Sequence, residues 1–168
     1  MTTTDQAKQR EMLTGQVQHL IEEIEAMLHV AAALPDEILS VSPLPDEPSL
    51  KELYALIGLY DRDVYQPAIR AILAENKPTL YVGDDGELLS RAAWNDETFD
   101  VILDFVRRKR KELLALLQKA SLEEWKRTAS LGSRTLTVYE VVYAITQHDA
   151  QILRAAALRL HDSRWVSP

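Results

Sequence analysis

Four stretches of this chain repeat apolar residues at three- and four-residue spacing, and almost nothing in it alternates with the two-residue period of a strand. Each such stretch must bury one stripe, and four long stripes share a core most simply as a four-helix bundle. The first runs over Asp5–Ala33, with Leu13, Val17, Leu20, Ile21, Ile24, Met27, Leu28 and Ala31 on one face and Asp5 as the expected N-cap. The second runs over Ser49–Ala74 on Leu53, Leu56, Ile57, Tyr60 and Val64. Ser49 and Glu52 form a capping box at its start, and Pro67 predicts a kink or break near Tyr65. The third covers Asp96–Ala120, with Ile102, Phe105, Val106, Leu113, Leu116 and Leu117 inward. The fourth covers Thr137–His161, and Ser121 with Glu124 starts a short helix between the last two.

The links divide these helices unevenly. Pro35–Pro48 holds four prolines and reads as an ordered or semi-rigid loop. Lys77–Asn95 is long, and its TLYVGDDGELL core predicts a small hairpin over the DDG turn. A link of that length permits a crossover between the second and third helices. No repeat or low-complexity tract interrupts the pattern, so residues 1–168 read as a single domain.

Composition excludes several classes of function. The formal charge is −7, from 19 basic and 26 acidic residues, which argues against a nucleic-acid binder. Cysteine is absent, which removes disulfides, thiolate metal sites and a cysteine nucleophile. No apolar run approaches the length of a membrane span, and MTTTDQAKQRE lacks the apolar core of a signal peptide. A cytoplasmic protein without membrane or nucleic-acid partners is expected.

The residues that could carry chemistry are few. His148 lies alone on the edge of the apolar face of the fourth helix, and one turn on, where a second metal ligand would complete an i, i+4 pair, stands Ile152. A lone imidazole there reads either as a ligand or general base, or as a polar group satisfied by a neighbour. His19 and His29 fall off the first stripe, and His161 sits at a helix end that favours a cation. In the basic run Arg107–Lys111, a stripe through 102, 106, 109, 113, 116 and 120 places Lys109 near its centre. Lys109 is therefore expected to be buried and paired with Asp149 or Asp61; the alternative is that its stem carries the ammonium to the surface. Tyr54, Tyr60, Tyr139 and Tyr143 line a pocket or fill the core, and Trp94, Trp125 and Trp165 cap the core near element ends.

Taken with the order of the helices, SLKELYAL at the second helix, WNDETF before the third, ELLALLQKASLEEWKR at its end and LTVYEVV followed by His148 and Asp149 resemble the DinB/YfiT-like superfamily, from about Leu13 to Leu160. The resemblance implies an all-α four-helix bundle and commonly a homodimer. It also implies a divalent metal, zinc or nickel, held by three histidines: one on the second helix and two on the fourth, four residues apart. Those positions correspond here to Leu56, His148 and Ile152, so His148 is the one ligand position retained and no metal or other cofactor is expected.

Two functions follow from the resemblance and the departure from it. One is a small-molecule-binding or scaffold protein without metal-dependent catalysis, whose pocket between the second and fourth helices involves Leu56, Tyr60 and Ile152. The alternative is a DinB-like hydrolase or thiol-dependent transferase acting through a polar pocket of His148, Lys109 and Asp149.

Overall fold

The computed structural model describes residues 2–31, 33–45 and 47–163. Its elements are α1 (Thr3–Ala31), α2 (Asp36–Ser40), α3 (Leu50–Tyr60), a π-helical turn (Asp61–Tyr65), α4 (Gln66–Ala74) and α5 (Asp85–Leu89). A 3-10 turn (Trp94–Asp96), α6 (Phe99–Lys119), α7 (Leu122–Trp125), strands β1 (Thr128–Leu131) and β2 (Arg134–Thr137), and α8 (Val138–Ser163) follow.

Local chemistry sets most of the boundaries. Ser49 and Glu52 form the expected capping box on α3, and Ser121 and Glu124 form one on α7. At α1 the cap is one turn earlier than expected: the Thr2 hydroxyl accepts the Asp5 N–H, and the Asp5 carboxylate accepts the Thr2 N–H. Pro67 has no N–H to offer the turn before it. The helix answers by widening rather than breaking, and the Gln66 N–H donates to the Asp61 carbonyl five residues back. α3, the π turn and α4 thus form one long helical arm.

The long helices form a ring in which α1 and the α3–α4 arm each pack against α6 and α8. Direction follows from the partners. Tyr54 meets Phe99, Asp61 meets Arg110, and Gln66 meets Lys109 and Glu112, so the α3–α4 arm and α6 run parallel. Parallel neighbours need a return path, which is why the link over residues 77–95 is long. Gly58 lets this pair approach closely, since a Cβ there would lie 2.5 Å from the Phe105 ring.

The return link differs from expectation in its local form. Asp84 caps the short helix α5, so DDG opens a helical turn rather than a hairpin. The hairpin of this fold is instead β1–β2, closed by Gly132 at φ 58° and Ser133. The proline-rich link also contains a short helix, α2. Among the described residues no helix is long and apolar enough to cross a membrane.

The core has two parts. An upper cluster gathers Leu20 and Ile24 of α1, most of α3, Ile102 and Val106 of α6, and Ile152 and Ala156 of α8. A lower cluster gathers Leu13 and Val17, Ile69 and Ile72, Leu113 and Leu117, Trp125, and Val138 to Ile145. Between them, where the π turn sits, lies a layer of buried charge.

Candidate functional site

Arg110 is the centre of that layer and has no exposed surface. Its Nε and Nη2 donate to the Asp61 carboxylate at 2.7 and 3.1 Å, and its Nη1 and Nη2 donate to Asp149 at 2.6 and 2.9 Å. Three elements meet here: the π turn supplies Asp61, α6 supplies Arg110, and α8 supplies Asp149. A planar guanidinium can fork two carboxylates at once, which an ammonium cannot. Burial pushes the Asp61 carboxyl up to about 7, against the pull of Arg110 and with the repulsion of Asp149. The layer holds two carboxylates against one cation.

The lysine expected in this position is elsewhere. Lys109 lies at the edge of α6 with its Nζ 2.9 Å from Glu112, and its side chain is 21% exposed. The inward stripe runs 102, 103, 106, 110, 113, 114, 117; it shares 102, 106 and 113 with the expected one but takes 110 in place of 109 and 117 in place of 116. No apolar residue stands between Val106 and Leu113 to fix the phase, so 109 and 110 bridge the gap equally well by spacing. The fully buried lysine of the structure is Lys51, whose Nζ donates to the Asn95 carbonyl at 3.1 Å and pairs with Asp36 at 2.7 Å.

His148 is half-buried beside the charged layer. Its Nδ1 is 2.9 Å from the Tyr65 hydroxyl, and its ring lies 4.2 Å from the Tyr60 ring, tilted by 54° to it. Burial holds the Tyr65 phenol far above its usual range, helped by Asp149 and Asp61, so the group beside Nδ1 is a neutral hydroxyl. Burial likewise holds His148 below its ordinary value, opposed by Asp149 and Asp85. Tyr60 donates to Asp85 at 2.7 Å. Gly83 lies over the Tyr60 ring so closely that a Cβ would stand 2.5 Å from it. The return link therefore covers this side of the bundle.

Leu56, Tyr60 and Ile152 are buried together in the upper cluster. Tyr54 packs edge-on to Phe99, Tyr139 is buried and donates to the Gln6 carbonyl, and Tyr143 is exposed. Trp125 is fully buried and donates to the Leu117 carbonyl, and Trp94 packs against Phe105; Trp165 lies outside the described residues. His19 pairs with Glu22 and Glu23 on the exposed face of α1. A groove of about 640 Å³ runs between α1 and α8, with Asp149 on its floor; Leu56, Tyr60 and Ile152 do not line it. Lys109, His148 and Asp149 thus face three different surroundings rather than one cavity.

The sequence profile of the DinB superfamily matches residues 19–154. The chain belongs to the DinB superfamily. Its DinB fold superposes on YfiT from Bacillus subtilis with a TM-score of 0.66 at 15% identity, over 96% of this chain and 90% of that one. YfiT is described as a probable metal-dependent hydrolase with an unusual four-helix bundle topology. No curated protein matches the chain.

Two of the three positions that the DinB resemblance assigns to metal ligands hold Leu56 and Ile152. Leucine and isoleucine have no donor atom, and both lie in the apolar cluster beside the one histidine. Among the described residues no group of three or more histidines and carboxylates is placed to hold a metal ion.

Proposed function

We propose that this DinB-superfamily bundle acts without metal-dependent catalysis, as a protein that binds a small molecule. The observation that carries this reading is the set of side chains at the three ligand positions. Leu56 and Ile152 belong to the upper apolar cluster, and the Nδ1 of the single imidazole, His148, is engaged by Tyr65. The divergence of Lys109, His148 and Asp149 supports binding over a polar catalytic pocket, because general acid–base work needs those groups within reach of one substrate. The open groove between α1 and α8 supports a ligand rather than a purely structural role.

The test is elemental analysis of protein purified without chelator, before and after incubation with zinc and nickel. Well below one metal ion per chain is expected, with His148→Ala leaving the content unchanged. Stoichiometric metal that His148→Ala removes would overturn the proposal.

A further inference from the structure

We infer that the groove between α1 and α8 is a binding site for a small organic cation, an amine with an apolar body, whose ammonium group is drawn to Asp149. This rests on the small-molecule reading above and specifies its ligand. The groove, at about 640 Å³, is of the size that holds drug-sized molecules. Met12, Leu20 and Leu153 supply apolar walls, and Glu23 and Asp149 supply charge; no lysine or arginine lines it.

Three features give the site its sign and shape. Asp149 reaches the groove with a side chain only 9% exposed, and Arg110 donates to both of its oxygens from the inner side. A carboxylate has about four acceptor directions, so the outer ones remain for a ligand donor. Behind it, Arg110 is shared with Asp61, so Asp149 does not have the guanidinium to itself. At the rim, His19 lies between Glu22 and Glu23, at 3.2 and 3.1 Å, so the mouth also has more carboxylates than basic groups. An anion is repelled by both, and a cation gains from both.

The second feature is Gly15. It stands midway along α1, where glycine is the costliest residue apart from proline. It has no positive φ, and a Cβ there would meet nothing within 4 Å. Neither backbone conformation nor close packing calls for glycine at this position. It lines the groove, and the missing side chain keeps that wall open. The third feature is Tyr143, 56% exposed and lining the groove from α8, an aromatic residue of the kind that attracts a cation.

The experiment titrates the full chain by calorimetry with three probes of one shape: 2-phenylethylamine, 2-phenylethanol and phenylacetate. Saturable binding of the amine alone is expected. Gly15→Leu should weaken it at least about tenfold while melting at or above the wild-type temperature, and Glu23→Gln should weaken it less. Because Asp149 also holds the core together, these two variants carry the test. Equal binding of amine and alcohol would overturn the cation inference and leave the small-molecule reading standing. No binding of any probe at millimolar concentration would overturn the inference as well. A wild-type dimer that Gly15→Leu converts to monomer in sedimentation would show a second copy in the groove, again against it. Stoichiometric metal, measured separately, would strike the metal-free reading without altering the titration.

Discussion

Arg110 and Asp61 meet through two hydrogen bonds, at 2.7 and 3.1 Å, at a point where neither side chain has any exposure. Removing the cation strands two carboxylates in the interior, and breaking a buried pair costs about 3–5 kcal/mol. Arg110→Met is expected to lose that much in urea denaturation. Asp61→Asn leaves a neutral Arg110–Asp149 pair, and its loss should be clearly smaller. A reversed ranking would show that the layer is not held by Arg110.

The same layer predicts an unusual pH dependence. Burial raises the Asp61 carboxyl from 3.8 to about 7, so the folded chain holds this proton more tightly than the unfolded chain. That contribution to stability is fully present below about pH 4 and is lost as pH rises toward 7. Exposed carboxylates such as Glu87 and Glu124 are shifted the other way by their hydrogen bonds and act in the opposite sense as pH falls. The difference between wild type and Asp61→Asn isolates the effect. The advantage of wild type over the variant should decline between pH 4 and 7 in paired melting curves.

His148 should titrate below 6.5 when followed by NMR, because burial disfavours its charged form. A depressed imidazole contributes stability above its unfolded value and loses it as pH falls. A hydrogen bond donated by Tyr65 to Nδ1 would favour the neutral ring, and in that case Tyr65→Phe moves the midpoint up. No movement would mean that Tyr65 is not the donor.

Restoring the missing ligands is the converse test of the metal-free reading. Leu56→His with Ile152→His would set two imidazoles beside His148 in the positions that the family resemblance assigns. The double variant is expected to take up zinc or nickel and to melt lower than wild type without metal, since two apolar core side chains are lost. Failure to bind either ion in a folded double variant would indicate that the backbone here no longer supports the centre.

Gly83→Ala should destabilise the chain by about 1–3 kcal/mol, as overpacking does, because the added Cβ meets the Tyr60 ring and Val64. The check is a melting curve, together with faster hydrogen exchange over α5 if the link has lifted.

Much of this was readable in advance from residue spacing. Four stripes gave four long helices, and Ser49–Glu52 and Ser121–Glu124 marked two starts because a capping box is local chemistry. Asp61 and Asp149 are readable from the sequence as carboxylates within reach of an interior cation. Their true partner did not, because five consecutive basic residues carry no phase of their own, and a one-residue shift exchanges Lys109 for Arg110. The β1–β2 hairpin had a usable signal in the Gly132–Ser133 pair between two short threonine-containing runs. The burial of Lys51 had none, since its partners lie in α2 and at Asn95, far away in sequence. The groove between α1 and α8 depends on which helices become neighbours, and spacing along the chain does not contain that.

Both apolar clusters draw on all of the long helical arms: α1, α6 and α8 each enter both, while the α3–α4 arm supplies one half to each. Neither end of the bundle is therefore a piece that a protease could release as a folded fragment. A chain cut after Ala74 would own α1 and the α3–α4 arm, which occupy opposite corners of the ring and lack the two helices that join them. Such a fragment should be unstructured alone and should regain helix only when the remainder is added back, so the two pieces would report on each other as a complementation pair.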